Sequence, residues 1–248
     1  MADYDYQEQK QRIIEILDCK TDIDRRDFVP CDSNFTFENG IEAPVASIFV
    51  DIRDSSSFFK NNKKDIVSRI MRAFIGQVIR ILRSDNNLRD IGIRGDCVFA
   101  IYSAKTCSEL KEIFGCATYV NTFILMFNKI LEEKGFPTFQ IGIGLGYDPK
   151  ELVIKAGEKG TGHKDYVWVG DAVIDASNCC NVANKSGLKT IVISHSYYEK
   201  IKSLKPNKDK ELYYSNYFKR HYLNGELYYD CELVKTTFSD WIEEGMKD

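Results

Sequence analysis

Two aspartates carry the chemistry that this chain offers. Asp51 ends the apolar run Ser47-Ile48-Phe49-Val50-Asp51-Ile52, and Asp96 lies in Ile93-Arg94-Gly95-Asp96-Cys97-Val98-Phe99. The first run closes on a carboxylate and turns through Arg53, Asp54, Ser55 and Ser56 into a long amphipathic stretch, a turn that presents backbone N–H groups to phosphate. The second sets its carboxylate beside a glycine between two strand patterns, where a hairpin tip holds it against the first. Paired carboxylates bind divalent ions, so the two read as a two-metal nucleotide site. Arg53 and Asp54 read as turn residues.

Such a pair needs a scaffold, and the pattern of apolar residues supplies one. Residues 44–52 read as a strand. Lys63 to Ser84 carries Ile66, Ile70, Phe74, Val78, Ile81 and Leu82 at helical spacing, a face that packs on a sheet. Leu88 to Tyr102 reads as two strands meeting near Gly95, and Ser108 to Lys134 as a second long helix that stops at Gly135 before Pro137. Phe139 to Tyr147 alternates glycine with Ile141, Ile143 and Leu145, and Leu152 to Ala156 and Tyr166 to Val169 follow as strands around a glycine-rich loop. Glycines within a strand admit a close neighbour. Asp171 to Asn184 is expected as a helix, Lys189 to Ile193 as a strand and Ser194 to Ser203 as a short helix.

Composition narrows the function classes. The 248 residues are 44% hydrophobic, enough for a substantial core, and the net charge of −3 provides no basic field for nucleic acid. The N-terminus, Met1-Ala2-Asp3-Tyr4-Asp5, is acidic where a signal peptide is basic, and no run approaches the roughly 20 apolar residues of a membrane span. A cytoplasmic location without a membrane partner is expected. The eight cysteines lack the CxxC spacing of zinc sites and read as reduced, mostly buried thiols, adjacent Cys179 and Cys180 included. His163, His195 and His221 have neither metal-like nor triad spacing.

The order strand, helix, hairpin, helix, with Asp51 after the first strand and Asp96 in the hairpin, resembles the catalytic domain of class III nucleotidyl cyclases. The resemblance covers roughly residues 44–193 and rests on Phe49-Val50-Asp51-Ile52 with Ser55-Ser56, the Gly95-Asp96 hairpin, Gly142-Ile143-Gly144 and Trp168-Val169-Gly170-Asp171-Ala172-Val173. It implies a ferredoxin-like α/β (α+β) domain over residues 43–205 with a central, mostly antiparallel sheet flanked by helices. Residues 1–42 would precede it as a helix over Tyr6 to Asp18, with Ile13, Ile14, Ile16 and Leu17 as a docking stripe, and an irregular linker. Residues 206–248 would follow as an extension, strand-like over Glu226 to Val234, that closes the sheet edge or joins a partner. The resemblance also implies a head-to-tail homodimer with active sites between the copies. In each site Asp51 and Asp96 would bridge two divalent cations, Mn2+ or Mg2+, with the Ile52 carbonyl completing one shell.

Four positions depart from the purine cyclases of that family. The base-reading position four residues before the second metal aspartate is Gly92, the other, three before Gly170, is Val167, and the usual Asn and Arg of the transition-state helix fall on Ile174 and Asn178. These departures, with Ile93-Arg94-Gly95-Asp96 and Asp175-Ala176-Ser177-Asn178-Cys179-Cys180-Asn181, resemble the bacterial pyrimidine cyclases of Pycsar antiphage systems. That resemblance implies conversion of UTP, or alternatively CTP, to the 3′,5′-cyclic nucleotide, which acts on a separate effector protein. Strand alternation puts Phe49 on the face of Asp51 and Arg94 on the face of Asp96, as contacts for base and for base carbonyl or phosphate. Asn178 and Asn181 are the stand-ins for the missing transition-state groups, and Lys159, His163 and Lys164 are weaker candidates for the triphosphate. A purine cyclase, a silent nucleotide-binding module and a phosphohydrolase are the competing readings. The intact carboxylate pair favours catalysis, because clustered carboxylates without a cation are costly.

Overall fold

The computed structural model describes residues 4–30, 32–157, 164–206, 212–223 and 225–247. Its centre is a nine-stranded sheet. The strands are β1 (Asp22–Arg25), β2 (Asn39–Ile52), β3 (Leu88–Arg94), β4 (Cys97–Ser103), β5 (Ile141–Gly157), β6 (Lys164–Val169), β7 (Ile191–Ser194), β8 (Lys219–Leu223) and β9 (Glu226–Cys231). Their order is β3-β4-β2-β5-β7-β9-β8, with β1 beside β2 and β6 beside β5. Only β1 with β2 and β5 with β7 run parallel. The antiparallel β2–β5 pair is the spine, with Phe49 opposite Gly144 and Asp51 opposite Gly142.

Helices α1 (Tyr6–Asp18), α2 (Ser55–Asn61), α3 (Lys64–Leu82), α4 (Cys107–Glu133), α5 (Asp171–Val182), α6 (His195–Ile201) and α7 (Thr236–Glu243) complete the chain. In α3 the four-residue spacing of Ile70, Phe74, Val78 and Leu82 makes one apolar row, and all four are buried. Helix α4 starts in a capping box, Thr106 with Glu109, and buries Phe114, Val120, Phe123 and Phe127. These two helices cover one face of the sheet and form the main core with Ala46, Ile48, Val50 and Ile52 of β2. Alternation therefore sends Phe49 and Asp51 to the opposite face. There α5 lies over β5 so closely that a Cβ at Gly144 would stand 2.1 Å from the Ala176 carbonyl oxygen. Only glycine permits that approach.

Two elements run longer than the periodicity indicates. Strand β2 begins at Asn39, inside the stretch expected as a linker, because β1 pairs with its first residues. The two segments expected at Phe139–Tyr147 and Leu152–Ala156 form one continuous β5. The C-terminal hairpin β8–β9 adds to β7 and so extends the sheet at that end. Helix α4 has the length and composition of a membrane span, yet 61% of its apolar window is buried, as befits a core helix. No residue of α1 is buried, so its apolar stripe has no cover from the described residues.

Candidate active site

Cross-strand register arranges the open face in rows. Residues directly opposite on antiparallel strands share a face. Phe49 faces Phe99 and Gly144, and Phe99 faces Gly92, so Gly92, Phe99, Phe49 and Gly144 make one row. The row beside it holds Arg94, Cys97, Asp51 and Gly142, at the end of the hairpin that carries Asp96. On the other side lie Asp90, Ile101, Ser47 and Gly146.

In the carboxylate row the structure brings together the two aspartates that the sequence singles out. Burial raises the pKa of Asp51 above the usual carboxylate range, the charge of Asp96 raises it further, and Arg53 opposes both. Asp96 Oδ2 is buried and has no hydrogen-bond partner. Two facing carboxylates, one with an orphaned oxygen, form a donor set that a divalent cation would satisfy. The Ile52 side chain is buried in the core, which leaves its carbonyl as its contribution. Cys97, between the carboxylates, is pushed up to about 12 by burial and then by the two acids, so it stays a thiol.

Arg53 is the residue that sequence reasoning missed. Its backbone lies in the turn expected of it, but its side chain is 4% exposed and pairs with Asp51 Oδ2 at 2.9 Å. Its Nη1 donates to the Cys180 carbonyl at 3.1 Å and to the Asn181 and Ala183 carbonyls at 3.5 Å. These carbonyls lie at the negative dipole end of α5, where a guanidinium fits. Alternation carried one residue past the strand places Arg53 on the face of Asp51, a signal that could have found it.

Phe49 and Phe99 stack with ring centroids 5.5 Å apart and 21° between planes. Arg94 is exposed at the hairpin end, in the same row as Asp51. Asn178 and Asn181 are exposed on α5, and the Asn181 carbonyl lies within 3.5 Å of Arg53 Nη1. Asn178 instead lines a cleft with Asp175, Ser194, His195 and Tyr228. Lys159 and His163 lie outside the described residues, as does the Lys164 side chain. The start of α5 is held by two acids, with Asp171 N–H donating to Asp148 at 3.1 Å and Ala172 N–H donating to fully buried Glu151 at 3.0 Å. Burial raises Glu151 to about 7. Among the described cysteines Cys116, Cys179, Cys180 and Cys231 are buried, none is disulfide-bonded, and Cys19 and Cys107 are exposed.

No family model matches the chain. A uridylate cyclase of Treponema porcinum is 41% identical over 247 residues, which span 99% of this chain and 83% of that protein. The chain belongs to the uridylate cyclase family. A second uridylate cyclase, from Gulbenkiania mobilis, is 30% identical over 97% of this chain and 96% of its own length. The family's fold is that of the class III nucleotidyl cyclases. A guanylyl cyclase crystal structure superposes with a TM-score of 0.62 at 15% identity, covering 79% of this chain and 95% of the other. The mixed α/β sheet and the helices on both faces agree with the architecture expected from sequence.

Proposed function

We propose that this protein is a pyrimidine nucleotide cyclase that converts UTP to 3′,5′-cyclic UMP and diphosphate. The observation that carries the reading is the pairing of Asp51 with Asp96, whose Oδ2 has no partner, in a chain 41% identical to a uridylate cyclase. In the reaction the ribose 3′-hydroxyl attacks the α-phosphorus, a new P–O bond forms, the bond to the β-phosphate bridge breaks and the hydroxyl proton leaves to solvent. Divalent ions, Mn2+ or Mg2+, supply the charge that acidifies the hydroxyl and neutralises the leaving diphosphate. Asp51, Asp96 and the Ile52 carbonyl hold them. Phe49 offers its ring to the base, and Arg94 binds a base carbonyl or a phosphate.

Asn178 and Asn181 are exposed on α5 and serve across a head-to-tail homodimer, each copy supplying α5 to the other's carboxylates. Ile93, Val167, Val169 and Ile174, all between 40% and 57% exposed, give such a pair apolar surface to bury. The cyclic nucleotide then acts on a separate effector in an antiphage response in the cytoplasm. The test is incubation of the purified protein with Mn2+ and each of UTP, CTP, ATP and GTP, with products identified by mass. Cyclic UMP with diphosphate is expected. Predominant cyclic CMP would transfer the reading to cytidylate, and nucleoside monophosphate or no product would defeat it.

A further inference from the structure

We propose that Phe99 sets the size limit on the base, an inference that rests on the pyrimidine cyclase reading above. A planar base placed on this face has the Phe49 ring beside the carboxylate row to stack on, with Phe99 next to it at 5.5 Å between centroids and both rings partly exposed. Neighbouring rows are two residues apart along a strand, about 7 Å, the separation a nucleotide spans from its sugar-phosphate to its base. Aromatic rings on a sheet are a stacking surface for any base, so stacking alone confers no size selection. Selection comes from what stands around the platform.

The Phe99 ring lies across Gly92. A Cβ at Gly92 would stand 2.4 Å from Phe99 Cζ and 2.6 Å from Cε1, so nothing larger than hydrogen fits at 92 while the ring is there. The ring thus fills the volume above β3 that a side chain would otherwise occupy or leave open. Trp168 stands over the neighbouring row, its Nε1 donating to Asp90 at 3.3 Å. The second fused ring of a purine meets Phe99. A platform that serves the carboxylates of a second copy limits the base in the same way.

The test compares kcat/KM for UTP, CTP, ATP and GTP in the full-length protein, Phe99→Ala and Phe99→Leu, with the Gly92→Ala and Gly92→Ala/Phe99→Ala variants alongside. Both Phe99 substitutions are expected to lower kcat/KM for UTP and to raise the better purine's kcat/KM relative to UTP at least tenfold. Gly92→Ala is expected to impair the native background and to be tolerated once Phe99 is Ala. If Phe99→Ala does not fold, Phe99→Leu carries the comparison. An unchanged purine-to-UTP ratio in the folded variants, including an equal loss for all four nucleotides, overturns the inference while the cyclase reading stands. Failure of the native protein to form a cyclic pyrimidine nucleotide strikes the reading beneath it instead.

Discussion

Arg53 ties Asp51 to α5: one nitrogen of its guanidinium donates to Asp51 Oδ2 at 2.9 Å and the other to the Cys180 carbonyl at 3.1 Å, 127 residues away in sequence. The clamp occupies one oxygen of Asp51 and fixes its rotamer, so the second oxygen is the one free to meet a cation. It also couples the carboxylate row to the helix whose outer face carries Asn178 and Asn181. Removing the guanidinium takes a donor from three carbonyls and from an acid. Arg53→Met is expected to cost about 2–3 kcal/mol in chemical denaturation, below the value for a fully buried pair because Asp51 is 31% exposed. Arg53→Lys keeps the charge without the fork and is expected to fold, with turnover down roughly tenfold or more from the lost orientation. Native turnover in Arg53→Lys would show that the clamp has no part in positioning Asp51.

Asp51→Asn and Asp96→Asn are each expected to abolish cyclisation and leave the fold intact. Thermal melts separate the electrostatic role from a structural one. Without metal, Asp96→Asn relieves repulsion between the two facing carboxylates, so its midpoint should equal or exceed that of the native protein, whereas Asp51→Asn also removes the partner of buried Arg53 and should melt lower. With Mn2+ the native midpoint should rise by mass action, and those of the variants should not. A Mn2+-dependent rise that survives in both variants would place the ions elsewhere.

Glu151 makes stability depend on pH in a definite direction. Its folded pKa, about 7, lies above its ordinary value of 4.5, so the folded chain holds the proton that the unfolded chain releases. The stabilisation is complete below pH 4.5 and is lost as pH rises toward and through 7. Glu151→Gln keeps an acceptor for the Ala172 N–H and removes the ionisation. It is expected to gain up to about 3 kcal/mol at pH 8 relative to the native chain, with a shallower slope between pH 5 and 7. A residual slope should remain from Asp175, which burial and then Asp171 raise to about 6. Parallel denaturation profiles for the two proteins across that range would refute this account.

Gly144→Ala tests the contact of α5 with β5. The added methyl would stand 2.1 Å from both the Ala176 carbonyl oxygen and the Cys180 N–H nitrogen, backbone atoms that cannot swing aside. A loss of about 3 kcal/mol or more is expected, with α5 displaced and turnover reduced. A denaturation midpoint within experimental error of the native one would mean that the helix is not seated as described.

Much of this molecule is written in short-range pattern. The spacing of Ile70, Phe74, Val78 and Leu82 marks α3, the Thr106–Glu109 box marks the start of α4, and alternation along β2 puts Phe49 and Asp51 on one face. Those signals are local, set by helical and strand periods that the chain obeys before it packs. The length of β2 is a different matter, because Asn39 to Glu42 become strand only by pairing with β1 and with the far half of β5.

The same division runs through the site. Sequence by itself determined the identity of the carboxylate pair, the placement of Asp96 beside a hairpin glycine and the family whose motifs the chain carries. Tertiary structure alone decided that Arg53 is buried against Asp51, that Phe99 covers Gly92 and that Asn178 and Asn181 are exposed on α5. Each of those facts depends on which strands become neighbours and how closely α5 approaches the sheet. No repeat of two or 3.6 residues encodes contacts between segments more than a hundred residues apart.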